Sequence, residues 1–286
     1  MIYLVFSILS SVGLFAIFKL ANKSNLNIIL IIILNYLVAS VLGYFLSYSQ
    51  INSSINTISI PTLVSAFIIG ALFIGNFVLI NMSTKQSGIA ITTVMSKMSV
   101  IIPILFTLIY FSEIINVYKI IGIITALLAI FLTVYKKEDS KSKITLVPIV
   151  LFVGMGITDI VMKYAQNYNL ENNVSAEVFS TLLFLVSFIV GVFWFLTLSK
   201  EKKKFKNKDI FYGVTLGVIN FGTVYFFINA LSSNTFNSSV LFGINHTSIV
   251  IVSVLIGSLF FKEKLSKINL IGILFSVISI ILLTKS

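Results

Sequence analysis

Ten apolar stretches, separated by short polar connectors, leave this chain few ways to fold. They run roughly Ile2–Leu20, Asn27–Ser47, Ile58–Met82, Ser87–Tyr110 and Val117–Tyr135, then Ile144–Tyr168, Ser175–Leu198, Ile210–Leu231, Asn237–Phe261 and Ile268–Leu283. A hydrocarbon layer about 30 Å thick is crossed by roughly 20 helical residues, so each stretch is long enough to span it. In lipid every backbone polar group needs an internal partner, which leaves only helices and closed barrels. Runs such as Ile28–Leu34 lack the alternation of barrel strands, so helices are expected. Charged residues make up 10% of the 286 and apolar ones 58%, too few ionisable groups to wet a soluble particle. The expectation is an all-α integral membrane protein with ten transmembrane helices. The first stretch has no basic residue before it and Lys19 at its far end, so it reads as a retained span rather than a leader.

The net charge of +11 comes from lysine alone. Sixteen of the 20 basic residues follow the odd-numbered stretches: Lys19 and Lys23; Lys85; Lys136, Lys137, Lys141 and Lys143; Lys200, Lys202, Lys203, Lys204, Lys206 and Lys208; Lys262, Lys264 and Lys267. The other side holds Lys119, Lys163 and Lys285, and Lys97 lies within a span. The positive-inside rule places the sixteen in the cytoplasm and both termini outside a multi-pass cytoplasmic membrane protein. Topology therefore accounts for the charge, and no nucleic-acid partner is expected. The loops KKEDSKSK (136–143) and KEKKKFKNKD (200–209) read as solvated topogenic loops, with binding of anionic lipid headgroups as the alternative. With no cysteine and one histidine, disulfides, thiolate catalysis and multi-imidazole zinc sites are excluded, and no metal or cofactor is expected.

Sliding the chain by 150 residues lays Ile121-Gly122-Ile123 on Ile271-Gly272-Ile273, Phe111 on Phe261 and Glu113 on Glu263. Acidic residues are rare here, so the second coincidence carries more weight than apolar matches. A repeat of five spans is odd in number, so its second copy enters from the opposite side: two inverted five-helix repeats, 1–135 and 144–286, joined by a cytoplasmic linker at 136–143. Ten spans in two such halves, each ending in a Glu-containing turn (Phe111–Ile115 and Phe261–Leu265) followed by Ile-Gly-Ile, resemble the EamA-type family of the drug/metabolite transporter superfamily. Pro103 falls where that family often has a proline in span four, whereas its counterpart Ser253 departs from the pattern. The resemblance implies a carrier of small metabolites whose central cavity is lined mainly by spans one, three, four, six, eight and nine.

Six polar residues on those spans are candidates for the cavity. Lys97 lies ten residues into the fourth stretch, within about 2 Å of its midpoint at 1.5 Å per residue. An ammonium at that depth costs about 2.5–3.5 kcal/mol on insertion scales, so it should face the bundle interior. It would hold an anionic group or exchange a proton there, or else simply bond backbone carbonyls. His246 falls opposite Ser96 in the repeat and reads equally as a proton carrier or a satisfied core histidine. Asp159 stands one turn before Lys163, close enough to pair; facing the cavity instead, it is the possible coupling carboxylate. Asn76 on span three and Asn220 and Tyr225 on span eight are either cavity groups or interhelical glue. Gly213 and Gly217 read as a packing pair, and Glu113 and Glu263 as caps of the helices that follow them.

The sequence supports a secondary transporter working by alternating access, moving a small amino-acid-like or amphipathic solute, with a proton gradient as the plainest drive and uniport or exchange as the alternatives. It has no G-x-x-x-x-G-K-[ST] pattern for nucleotide. No enzyme activity is expected. The alternatives are an integral-membrane enzyme using His246 as base and a non-transporting membrane sensor. The oligomeric state is not legible.

Overall fold

A computed structural model describes residues 1–24, 26–54, 58–110, 116–138, 141–144, 146–168, 175–198, 206–232 and 238–285. The helices are α1 (Ile2–Lys23), α2 (Ile28–Leu46), α3 (Tyr48–Ser54), α4 (Ile60–Met98), α5 (Ile101–Tyr110), α6 (Val117–Val134), α7 (Leu146–Tyr168), α8 (Ala176–Thr197), α9 (Asn207–Ser232), α10 (Ser238–Leu259) and α11 (Lys267–Thr284). Among the described residues eight helical segments are long and apolar enough to cross a membrane, with 60–106 taken as one, and α6 is a shorter apolar helix. The protein is a helical, multi-pass membrane protein.

Two departures from the expected loops lie outside the bilayer stretches. The short helix α3 follows α2, and the linker expected as a plain loop pairs as an antiparallel hairpin, β1 (Tyr135–Glu138) with β2 (Lys141–Ile144), in the register Tyr135↔Ile144. The turn residues of that hairpin, and most of the second lysine-rich loop, lie outside the described residues.

The exterior is apolar and the interior carries the small polar groups. On α6, Ile120, Ile124, Leu127, Leu128 and Phe131 are exposed. Thr84, Thr92, Ser187 and Ser276 are buried. Hydrocarbon outside makes this sensible, because hydroxyls that bond back to their own helix need no water. Thr84 donates to the Ile80 carbonyl at 2.6 Å and Ser187 to that of Leu183 at 2.7 Å.

α4 is 39 residues long, about 58 Å at 1.5 Å per residue, nearly twice the hydrocarbon thickness of about 30 Å. It is broken at Gly88, whose φ of 88° and ψ of 173° are non-helical. That backbone conformation is essentially open to glycine alone. Two helical arms, 60–87 and 89–98, therefore meet at one residue where the sequence suggested a short loop.

α6 lies along α11, α4 along α7 and α8, and α2 along α9 and α8. The glycines of the repeated Ile-Gly-Ile motif allow the first of these contacts from both sides. A methyl on Gly122 would fall 2.8 Å from Leu283, and one on Gly272 would fall 2.6 Å from Thr133 Oγ1. Ser279 donates across the same seam to the Gly122 carbonyl at 2.8 Å, and Asn269 to the Thr133 carbonyl at 2.9 Å. Gly213 and Gly217 press likewise against Leu34 and Val38, the packing role expected of them. α11 begins in a reciprocal cap between Ser266 and Asn269. Ser266→Ala is expected to cost about 1 kcal/mol, visible as an earlier thermal transition in detergent.

Candidate functional site

Span four is not the continuous helix expected. α4 ends at Met98, a turn occupies Ser99–Val100, and α5 starts at Ile101. The cause is Pro103, which has no N–H for the carbonyl four residues back. The Ser99 carbonyl accepts from Ile102 N at 2.9 Å instead, and the Ser99 hydroxyl satisfies the Ser96 carbonyl at 2.8 Å. Irregular backbone at membrane depth is tolerated only inside protein or beside a cavity. Only Met98 separates Lys97 from it.

Three ionisable groups from three helices meet here. Lys97 on α4 interacts electrostatically with Asp159 on α7 and with His246 on α10. All three side chains are half-buried. Asp159 accepts a hydrogen bond from the Ser99 hydroxyl at 3.4 Å. Among the described residues Asp159 makes no ion pair with Lys163, whose side chain is exposed, while Asp159 is half-buried against Ser99. His246 packs edge-on to Phe242, with centroids 6.2 Å apart, and borders a cavity of about 210 Å³ with Val100, Ile104, Gly243, Ile280 and Thr284. Thr93, Asn245, Thr247 and Ser253, on the two helices that carry Lys97 and His246, each keep a buried side-chain oxygen without a hydrogen-bond partner. Buried polar atoms usually find partners, so four open ones on these two helices stand out, although none of the four borders that cavity.

The remaining candidates are tied elsewhere. Asn76 donates to Thr158 Oγ1 at 2.8 Å and to the Gly154 carbonyl at 3.4 Å, joining α4 to α7. The Asn35 amide on α2 lies within 3.2 Å of the Asn220 side-chain amide and of the Leu216 carbonyl. Tyr225 stacks on Phe221 at 5.4 Å and meets Phe226 edge-on at 5.6 Å. Interhelical hydrogen bonds in membranes contribute about 0.6–2 kcal/mol. Asn76→Ala is therefore expected to destabilise by about that amount, and to leave solute selectivity unchanged in a transport assay.

Glu263 does not cap α11, the helix that follows it. Its carboxylate accepts from Ile89 N at 2.8 and 3.0 Å and from Ala90 N at 3.3 Å, so it caps the second arm of α4. Lys19 on α1 pairs with it at 2.9 Å. Glu113, its counterpart in the repeat, lies outside the described residues. Lys23 lies 5.3 Å over the Phe261 ring, and Asp209 accepts from Asn27 N at 2.9 Å and Lys206 N at 2.6 Å. The lysines after spans one, three and nine are thus gathered at one end of the bundle.

A model of the EamA-like transporter family matches residues 142–285, half of the chain. The chain belongs to the EamA-like transporter family. An uncharacterised protein of Haemophilus influenzae is 27% identical over 284 residues, covering 97% of this chain and 95% of its own length. A crystal structure at 13% sequence identity superposes with a TM-score of 0.60 over 99% of this chain and 96% of that one, which marks a shared fold.

Within this EamA-like chain, three features escaped the sequence reading. Ser99 is a neutral residue beside Pro103, and the proline was the available signal. Lys19 was counted for topology, although the repeated glutamate hinted that Glu263 had a fixed place. Tyr36 is fully buried against Phe77 and Phe184 with its hydroxyl unpartnered, and nothing in a run of apolar residues announces that.

Proposed function

We propose that this EamA-like protein is a secondary transporter that carries a small amino-acid-like or amphipathic solute across the cytoplasmic membrane by alternating access. In this reading ten spans form two inverted five-helix repeats, 1–135 and 144–286, about the linker at 136–143. Lys97 comes from the first repeat, and Asp159 and His246 from the second. The observation that carries the proposal is the meeting of these three costly groups beside broken helical backbone near mid-span, the arrangement that secondary carriers use for solutes and coupling ions. Lys97 binds the anionic group of the solute. Asp159 exchanges the coupling proton, with His246 bordering the route. Asn76, Asn220 and Tyr225 hold the walls rather than touch the solute.

The sixteen connector lysines lie in the cytoplasm, and both termini lie outside. The partners are the bilayer and a small solute, with no cofactor and no nucleic acid.

Uptake of a panel of radiolabelled amino acids and amphipathic organic acids into proteoliposomes, with and without a pH gradient, tests the reading. Saturable, protein-dependent flux of at least one solute, accelerated by the gradient, is expected. No flux across the panel would count against transport, and flux indifferent to the gradient against proton coupling. A reporter fused after Ser286 should register outside the cell; a cytoplasmic signal would reverse the assigned orientation.

A further inference from the structure

At the lysine-rich end of the bundle, one carboxylate holds three separate elements together. Glu263 belongs to the segment between α10 and α11. There, Lys262 adopts a left-handed φ of 53° and Glu263 N donates to the Gly257 carbonyl at 2.9 Å. The turn aims the side chain at the Gly88 break of α4. Both neighbouring glycines are needed for the fit: a methyl on Gly88 would fall 2.6 Å from the carboxylate carbon, and one on Gly257 would fall 2.7 Å from Oε2. The carboxylate then takes the free N–H groups of Ile89 and Ala90 and the Lys19 ammonium at 2.9 Å. Lys19 itself donates to the Thr84 carbonyl at 3.4 Å, on the other side of the break. Glu263 therefore joins α1 and both arms of α4 to a segment more than 170 residues further along the chain.

The surroundings are those of a closed mouth. A cavity of about 360 Å³ is bordered by Lys19, Lys85, Ser87, Ile91, Glu263 and Asn269. A second, of about 510 Å³, is bordered by Asn22, Leu26, Asn81, Met82 and Lys85. The first is built around the bridge and the second lies beside it. Along the helix, Ile89 is about 12 Å from Lys97 at 1.5 Å per residue. The contact thus sits between this end of the bundle and the Lys97 site, and side chains of just 19% and 9% exposure form it.

We propose that the Lys19–Glu263 bridge, with the Glu263 cap on Ile89 and Ala90, is the gate that closes the lysine-rich end of the solute path. This rests on the transport reading, since a gate has meaning only where two access states exist. Rocking of one half against the other has to part contacts that cross between them at one end, and this contact crosses. Opening frees two N–H groups, one ammonium and one carboxylate together, all of which water solvates well. The closed state is thereby held by charge-assisted bonds.

The chain contains no cysteine, so one introduced thiol is a unique reporter. Ile91→Cys places it at a buried position bordering the bridged cavity, and Gln86→Cys at an exposed position two residues before the break. Labelling by a water-soluble maleimide is followed in lipid nanodiscs. With Glu263→Gln, the Ile91→Cys rate is expected to rise about tenfold, the order that follows loss of a charge-assisted contact. Gln86→Cys should label at the same rate in both backgrounds. Lys19→Gln should raise the Ile91→Cys rate in the same direction, and it carries the test if Glu263→Gln does not yield folded protein. Lys23→Gln, which removes the neighbouring cation over Phe261, should leave the rate unchanged. Equal Ile91→Cys rates in all backgrounds, or an equal rise with Lys23→Gln, would overturn the gate. Labelling needs no solute, so a transporter without this gate shows flux with unchanged rates. A latch in a protein that does not transport shows the rate change without flux.

Discussion

Lys97→Met is expected to lower solute flux by about 100-fold while the protein still folds and elutes as a single species. Methionine keeps the length and apolar stem of lysine, so packing around the turn at Ser99 is conserved. What goes is the charge that Asp159 and His246 both sense. Truncating one partner of a buried charge pair costs about 2–5 kcal/mol, and each 1.4 kcal/mol is tenfold in affinity, hence the expected size. Flux into proteoliposomes, measured against initial solute concentration, provides the check. The double variant Lys97→Met/Asp159→Asn removes the stranded carboxylate as well. It should recover thermal stability without recovering flux. Unaltered flux in Lys97→Met would take Lys97 out of the solute path and leave it as a structural partner of Asp159.

Gly88→Ala is expected to be the most damaging single methyl in the chain. The φ/ψ of Gly88 lies where a side chain costs about 1–3 kcal/mol in backbone strain. The added carbon also falls 2.6 Å from the Glu263 carboxylate, which caps the next two residues. Relieving either conflict breaks the junction of the two α4 arms. Fluorescence-detected size-exclusion chromatography after a heating series should show much less folded protein than the parent. Gly75→Ala is the matched control. A methyl there meets nothing within 4 Å, and alanine in a helix interior is favoured over glycine by about 0.5–1 kcal/mol. If Gly88→Ala and Gly75→Ala behave alike, the break at Gly88 is not a structural requirement.

That the chain is helical and crosses the membrane many times was legible because the solvent imposes it. Hydrocarbon demands about twenty apolar residues per crossing, and each such run could be counted from its letters. The Gly213/Gly217 seam was legible too, since small residues one turn apart mark close helix approach. The break at Gly88 was less so. A short loop and a single non-helical residue between two helices look the same when apolar residues continue on both sides. Asp159 was read toward Lys163 because neighbours on one helix are visible in sequence, whereas Lys97, 62 positions away, is not. Glu263 was read toward the helix after it for the same reason, and its true partners lie 174 positions back.

Length and hydropathy are properties that each segment carries alone, so they could be read one segment at a time. Which face of a helix turns inward is a different matter. In water an apolar stripe points to the core, but in lipid the core and the exterior are both apolar and the stripe vanishes. Helix rotation is then set by steric fit and by a few polar contacts between distant segments. Folding in three dimensions brought Lys97, Asp159 and His246 together, turned Asn76 and Asn220 into interhelical ties and carried Glu263 to Gly88, because each outcome depends on how one helix is rotated against another.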